Sequence, residues 1–354
     1  MTLTSLPFNR WLDMPPSRGQ RVDRFKFEWI NGVTGETLGW LQPVKDAEPP
    51  TLTHDTSQSI KRELTLALSV ADTLAINPLT DRIQPWMIVG TDEPWPLGRY
   101  MFTDDSRVAS TRGDRGSFSL LDEGFAIDQQ LSDAFSLIGP VNVSVIALVS
   151  QVPFIVMDIE PTPFSSTGAW APGNTRGQVL DAYTTQGDYF PYWMSNDSRF
   201  RMIRTKDPAT AVVDFDLDVY KRVRIDSIVR TSDVLRAPNR FVVIDNSSTS
   251  ASGPVVGTYD VPPSAPHSIA SRGFVVPDVR NIQLTSTEQA GAMARNLGIR
   301  QTIFERLTFE TPIDPRHDSY NIIRLFGVNW LELSWSMTLL PGGSMRHTVR
   351  KAYA

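Results

Sequence analysis

The stretch Leu331-Glu-Leu-Ser-Trp-Ser-Met-Thr-Leu-Leu-Pro-Gly-Gly-Ser-Met-Arg-His-Thr-Val349 decides the fold class of this chain. Apolar residues alternate with polar residues from Leu331 to Leu339, which is the period of a β-strand with one buried face. Pro341 to Ser344 supply a tight turn, and Met345 and Val349 return on a second strand. The stretch therefore predicts a β-hairpin that covers a core.

The N-terminal third repeats this pattern. Aromatic residues alternate with charged residues from Arg24 to Trp29, and a turn at Asn31 to Gly35 precedes a second strand from Leu38 to Leu41. Three more short strands are predicted at residues 62–68, 86–89 and 98–102. Several short strands at this spacing are typical of a barrel or a sandwich.

The middle of the chain mixes helix and strand. A helix is predicted from Gln178 to Gln186, because Val179, Leu180 and Tyr183 share one face and Gly187 follows as a C-terminal glycine. Upstream, Leu137 to Met157 carries no charge and is long enough to span a bilayer.

Two prolines and the alternation of Val141, Val143 and Val145 with Asn142 and Ser144 favour a buried strand in this uncharged stretch instead. The sequence therefore predicts no membrane anchor.

The C-terminal part is predicted to return to strands with one helix. Residues 213–219 alternate between apolar side chains and aspartates, which indicates a strand. A capping box begins the helix, formed by Thr285 with Glu288 or by Ser286 with Gln289. Its apolar stripe ends before Gly298, which is expected to terminate it, and consists of Ala290, Met293, Ala294 and Leu297.

These patterns predict a mainly β protein in which two β-barrel domains flank an α+β domain. The expected divisions are an N-terminal arm over residues 1–21, a first barrel over 22–115, an α+β insert over 116–210, and a second barrel with one helix over 211–354.

Composition excludes several classes of function. The chain has 354 residues, 41% of them hydrophobic, and a formal charge of −5, which together indicate a globular protein. No basic block could neutralise a row of phosphates, so tight nucleic-acid binding is disfavoured. Cysteine is absent, which excludes disulfides, thiolate catalysis and Cys-ligated metals.

No motif in the sequence predicts catalysis, a cofactor or a metal site. The histidines His54, His267, His317 and His347 are scattered, and the first two are expected in solvated loops. Arg316 to Ser319 contains the residue types of a catalytic triad, but neighbours in an extended segment point in opposite directions. We therefore expect no enzyme.

Three aspartates form the one candidate site. Asp214, Asp216 and Asp218 project from one face of the predicted strand, where they could collect a hard cation. The spacing lacks the glycine and the distant glutamate of a calcium loop. We favour a solvated or channel-facing acidic face.

The chain resembles bacteriophage tail hub proteins, a family that includes minor tail proteins of long-tailed phages. The segments that carry the resemblance are Phe25 to Leu41, Ser59 to Ser69, Trp95 to Phe102, Trp170 to Leu180, Ala237 to Ile244, Glu288 to Ala294, Phe304 to Pro315 and Trp335 to Arg350.

The resemblance implies a structural virion protein at the distal tip of the tail, assembled in the host cytoplasm. It would be a homotrimer in which three pairs of barrels match the sixfold tail tube or distal tail protein. Further implied partners are a tape measure protein and threefold tip fibres or receptor-binding proteins. DNA would pass through the channel without specific binding, and an acidic lumen would repel its phosphates.

Two other interpretations remain open from the sequence alone. A β-rich carbohydrate hydrolase could hide its acid pair among the 39 carboxylates. The nine tryptophans also fit a carbohydrate-binding module.

Overall fold

A computed structural model describes residues 23–90, 94–103, 107–108, 115–220, 223–233, 235–245, 255–282, 286–301 and 304–351. The predicted N-terminal arm over residues 1–21 lies outside these ranges. The described chain is mainly β, as predicted, with large antiparallel sheets. None of its helices has the length and apolar character needed to cross a membrane.

The first sheet region, residues 23–122, confirms the predicted N-terminal hairpin. Its elements are β1 (Asp23–Asn31), β2 (Thr37–Leu41), β3 (Thr51–Asp55), β4 (Arg62–Ser69), α1 (Val70–Ala75), β5 (Asp81–Val89), β6 (Trp95–Pro96), β7 (Tyr100–Phe102), β8 (Arg107–Val108) and β9 (Arg115–Asp122).

The middle region, residues 123–210, mixes helices with short strands. Its elements are α2 (Gly124–Ile127), β10 (Gly139–Pro140), α3 (Val141–Val149), β11 (Val156–Ile159), β12 (Ser165–Ser166), α4 (Arg176–Gln186), β13 (Trp193–Met194) and β14 (Arg199–Met202). The predicted helix before Gly187 is confirmed as α4, and Thr175 caps it with a complete capping box.

The strand predicted for the uncharged stretch is wrong over Val141–Val149, which forms helix α3. Its buried apolar residues recur at helical spacing, while Val143 and Ile146 remain exposed. Pro140 precedes the helix at its N-cap, where a missing N–H costs nothing. The apparent alternation thus combines Val141 and Val145, which lie one helical turn apart on the buried stripe, with Val143, which is exposed.

The second sheet region, residues 211–351, contains the remaining elements. They are β15 (Phe215–Asp216), α5 (Leu217–Tyr220), β16 (Arg224–Ser232), β17 (Arg240–Asp245), β18 (Val255–Asp260), α6 (Ile269–Arg272), β19 (Pro277–Asn281), α7 (Thr287–Gln301), β20 (Glu305–Pro312), β21 (Ile322–Leu325), β22 (Val328–Thr338) and β23 (Ser344–Lys351).

The predicted C-terminal helix is confirmed as α7, but its predicted end is wrong. The Ser286 hydroxyl accepts the Gln289 N–H, so the second capping alternative is the one present, whereas Thr285 lies outside the described residues. Gly298 lies inside the helix. Its Cα packs so closely against Tyr259 that an added Cβ would lie 2.4 Å from the ring. Close packing, rather than termination, explains this glycine.

One large sheet connects the first and second sheet regions. Its strand order is β16-β20-β23-β22-β3-β4-β9-β7-β5-β1-β2, with β15, β21, β6 and β8 attached at its sides. No ladder among the described strands joins the two ends into a closed barrel. The chain after β2 does curl back, since Pro43 forms a bridge with Leu68 and the Val44 N–H donates to the Ala67 carbonyl.

Strand β22 belongs to both sheet regions. Its N-terminal half pairs with β21 and contributes Trp330 to the core of the second region. Its C-terminal half pairs with β3 and contributes Trp335 and Met337 to the core of the first region. A register shift between Glu332 and Ser334 separates the halves. The hairpin predicted from Leu331 to Val349 is confirmed, and it joins the two cores.

Candidate functional site

A buried polar junction lies where the three regions of the chain meet. Arg62 of β4 has a fully buried side chain that forms an ion pair with Asp318 and donates to the Asn196 side-chain oxygen at 2.6 Å. Trp193 Nε1 donates to the Asp318 carboxylate at 2.9 Å, and Trp335 Nε1 donates to the Asp318 carbonyl oxygen at 2.8 Å. The junction therefore bonds the first, middle and second regions directly to one another.

Further hydrogen bonds complete this junction. The Asn196 amide donates to the carbonyl oxygens of Pro315 and His317 at 2.9 and 2.8 Å. The Arg62 backbone N–H donates to Asp122, whose burial raises its pKa to about 6. Burial also raises the pKa of Asp318, against the opposing effect of the Arg62 charge. Such a network fixes the relative orientation of the regions.

A second buried cluster surrounds Glu332, which lies at the register shift of β22. One carboxylate oxygen lies 2.9 Å from His317 Nδ1, and the other lies 2.6 Å from His347 Nδ1. The Asn321 amide donates to the same carboxylate at 3.0 Å. The ligand atoms of the two histidines and the glutamate all lie within 4.8 Å of one another, and all three residues are buried. These residues could hold a metal ion.

Electrostatics in this cluster favour an ionised carboxylate. Burial would raise the pKa of Glu332, but His317 and His347 outweigh it and hold that pKa well below its ordinary range. Burial lowers the pKa of His347, although Glu332 opposes this shift.

The expectation that the histidines are scattered is wrong for this pair. His347 lies on β23, beside β22, and His317 lies in the loop before β21, so strand pairing brings both to Glu332. The signal in the sequence was Glu332 itself, the one acidic side chain among the serines and threonines of the polar face.

The other two histidines are also buried rather than solvated in loops. His54 lies on β3, and His267 is fully buried and stacks on Phe304 with ring centroids 4.8 Å apart. Burial lowers the pKa of His267 to about 4.

The triad-like run from Arg316 to Ser319 is dispersed into separate contacts. His317 contacts Glu332, Asp318 pairs with Arg62, and the Ser319 hydroxyl lies 3.0 Å from His54 Nε2. Burial and then the Arg62 charge hold the pKa of His54 well below its usual range. Within the described chain, no carboxylate is hydrogen-bonded to the other nitrogen of His54, so the third member of a triad is missing.

The continuous strand predicted around Asp214, Asp216 and Asp218 is wrong. Only Phe215–Asp216 is extended, and the Asp216 carboxylate then accepts the Val219 N–H and begins the helical turn α5. The alternation of apolar residues and aspartates predicted a strand because it does not reveal that the Asp216 side chain caps a helical turn.

The three aspartates nevertheless all contact the same segment, which consists of β21 and the turn that follows it. Asp214 accepts the Ile322 N–H at 2.7 Å, Asp216 lies 3.6 Å from the Arg324 guanidinium, and Asp218 accepts the N–H groups of Phe326 and Gly327, both at 2.7 Å. Their carboxylates therefore hold the backbone in place. Whether this edge faces a channel stays a prediction.

A cleft of about 890 Å³ opens between the sheet regions and the middle region. Its wall includes Lys61, Asp181, Arg300 and Tyr320. Burial lowers the pKa of Lys61 to about 8 and raises the pKa of Asp181, while each group's charge opposes the other's shift. No histidine is among the residues that line the cleft.

The fold is similar to that of three solved tail proteins. The tail protein from Neisseria meningitidis MC58 superposes with a TM-score of 0.61 at 10% identity, over 93% of this chain and 96% of that one. A prophage tail protein from Listeria monocytogenes EGD-e gives 0.58 at 8% identity, over 92% and 94%. The prophage MuSo2 43 kDa tail protein from Shewanella oneidensis gives 0.56 at 12% identity, over 92% and 98%.

The likeness covers nearly the whole of each chain and establishes a shared fold. No protein-family model matches the sequence, and no curated protein matches it. All three similar structures are tail proteins.

Proposed function

We propose that this chain is a structural protein of a phage tail and that it forms a trimeric hub at the distal end of the tail. The observation that carries the proposal is the fold likeness to three tail proteins, which spans more than nine-tenths of each partner. The buried junction around Arg62 and Asp318 supports it, because a scaffold needs its regions held in one orientation.

Each chain contains two sheet regions, which share β22, so three chains would contain six such regions. We propose that each region acts as one barrel of the hub, so that three copies present six. The bridge between Pro43 and Leu68 supports such curling in the first region. The middle region, between the two, would then decorate the outside of the ring.

The strands at the two ends of the large sheet are the proposed contacts between copies. Within the described part of the chain, β2 and β16 each pair on one side only. Trp40 of β2 is 52% exposed and Val229 of β16 is 54% exposed. Exposed strand edges with apolar side chains favour pairing or packing against another chain.

Each copy carries a formal charge of −5, so a ring of copies would be acidic. We propose that Asp214, Asp216 and Asp218 face the channel, where they would repel DNA phosphates and let the genome pass without binding. The remaining partners would be the distal tail or tail tube protein, the tape measure protein, and tip fibres or receptor-binding proteins. The protein would thus reside in the virion.

Light scattering on the purified chain tests the oligomeric state. We expect a trimer, either alone or after the distal tail protein is added. Val229→Glu should abolish assembly, because it places a charge on the proposed contact. The matched control is Val143→Glu on helix α3, which is 47% exposed and outside the contact, and it should assemble normally. A stable monomer under both conditions would contradict the hub. Glycan cleavage by that monomer would favour a hydrolase.

A further inference from the structure

We propose that His317, Glu332 and His347 form a buried binding site for a divalent transition metal, with Zn²⁺ as the ion that fits best. The inference goes beyond the hub function and does not depend on it. It rests on three ligand atoms that converge within 4.8 Å, on the hydrogen bonds around them, and on the charge of the site.

The convergence of the ligand atoms is the main support for the site. His317 Nδ1 lies 2.9 Å from one Glu332 oxygen, and His347 Nδ1 lies 2.6 Å from the other. Metal binding displaces protons from its ligands. A divalent ion would therefore replace the protons that these contacts now share.

The charge of the site also favours a bound cation. Glu332 is 1% exposed, and its hydrogen-bond partners in the described chain are two imidazoles and the Asn321 amide. The guanidinium on the adjacent loop, that of Arg316, is engaged in a bidentate pair with Asp314 at 2.9 and 2.6 Å. A buried carboxylate without a fixed cation is costly. A bound divalent ion would offset that charge.

The surrounding shell resembles that of a metal site. Ligating histidines usually donate their second ring N–H to an oxygen, and ligating carboxylates are themselves hydrogen-bonded. The Thr311 hydroxyl oxygen lies 2.8 Å from His347 Nε2, within reach of such a hydrogen bond, and the Asn321 amide donates to Glu332. Phe215 stacks on His317 at 3.8 Å and Phe309 stacks on His347 at 4.8 Å between ring centroids. Both rings are therefore held in place.

The ligand set selects the metal. Two imidazole nitrogens and one carboxylate suit zinc, whereas magnesium and calcium prefer oxygen ligands throughout. Zinc–ligand bonds of about 2.0–2.2 Å place neighbouring ligand atoms roughly 3.3 Å apart. Binding would therefore widen the present contacts of 2.6 and 2.9 Å to about this value and draw together the ligand atoms that now lie up to 4.8 Å apart. Both changes require shifts of the ligating side chains.

Metal content after refolding tests the site. The full chain is unfolded with a chelator, refolded with or without Zn²⁺, desalted, and analysed by mass spectrometry for zinc. We expect one zinc ion per chain, and visible absorption bands when Co²⁺ replaces Zn²⁺. Glu332→Gln and His347→Gln should lower the affinity by about 100-fold or more. The control His267→Gln changes a buried histidine outside the cluster and should retain the metal.

A second measurement needs no variant. The melting temperature of the wild-type chain should rise when the protein is refolded with Zn²⁺ and fall when it is refolded with a chelator. A folded wild-type chain that retains neither Zn²⁺ nor Co²⁺ would overturn the proposal, as would equal zinc retention by Glu332→Gln. Because zinc content per chain does not depend on the oligomeric state, this failure is distinct from a failure of the hub proposal.

Discussion

The two halves of strand β22 lie in opposite chemical environments. In the C-terminal half, Met337 is fully buried among leucine, isoleucine and phenylalanine side chains of the first region. In the N-terminal half, Glu332 is equally buried but lies between two histidines. One strand thus joins an apolar core, which depends on packing, to a buried polar cluster, which depends on complete hydrogen bonding. The first should tolerate changes of shape that conserve volume, and the second should tolerate little loss of any partner.

The largest loss of stability is expected at the buried junction around Arg62 and Asp318. Arg62→Met would leave the Asp318 carboxylate with only the longer 3.6 Å pair to Arg201, would remove the donor to Asn196, and should lower the free energy of unfolding by about 3–5 kcal/mol. Urea denaturation measures this. Adding Asp318→Asn should recover part of the loss, because the uncompensated charge disappears. If the double variant were as unstable as the single one, packing of Arg62 over Trp335 would be the dominant contribution.

A slightly smaller effect is expected in the apolar half. Met337→Ala should lower the free energy of unfolding by about 2–5 kcal/mol, because it removes buried surface and leaves a cavity. Met337→Leu conserves volume and should cost less than about 1.5 kcal/mol. Denaturation curves of the two variants provide the comparison. Equal losses would show that this half is not governed by packing.

Acid should lower the free energy of unfolding through the buried His267. Burial lowers the pKa of His267 to about 4, so the unfolded chain binds more protons below about pH 6.5, and stability falls as the pH drops from there toward 4. The slope is about 1.4 kcal/mol per pH unit for one histidine. Asp122, with its pKa raised to about 6, acts in the opposite direction.

Urea denaturation at pH 7, 5.5 and 4.5 measures this dependence. His267→Gln should flatten it, since the glutamine does not titrate. An unchanged slope in that variant would contradict the assignment.

The smallest effect is expected from one hydrogen bond in the polar half. Thr311→Val keeps the shape of the side chain but removes the oxygen that His347 Nε2 contacts at 2.8 Å, and it should cost about 1 kcal/mol. Thr308→Val on the same strand, where the threonine is half-buried, is the control and should be close to neutral. Thermal denaturation of both variants distinguishes them. Equal stability of the two would mean that the Thr311 contact contributes little.

Sequence patterns predicted the hairpins because alternation is a local property. The segment from Leu331 to Val349 shows its strand period and its turn without reference to any other part of the chain. Helices α4 and α7 were predictable for the same reason, since their caps and apolar stripes lie within each segment.

The parts that were not predicted depend on contacts between distant residues. The register shift in the β22–β23 ladder lies between the part of β22 that pairs with β21 and the part that pairs with β3. The alternation of apolar and polar residues along one strand does not show where such a shift falls. The Glu332 cluster joins residues that are 15 positions apart on either side. Helix α3 was missed for a different reason: its five residues from Val141 to Val145 fit a strand, and only Leu148 and Val149 extend the helical stripe.

A strand shared by two cores also limits how this chain can be cut or exchanged. Residues 23–122 expressed alone would lack one of the two neighbours of β3, because Ser334 to Thr338 of β22 supply the ladder opposite β4. The open edge of β3 would invite self-association, and loss of Trp335 and Met337 would uncover part of the first core. Recombination that swaps either end of the gene would split a single structural unit. Exchange between related genes should therefore be tolerated in the middle region more readily than at either end, provided that Trp193 and Asn196 of the junction are kept.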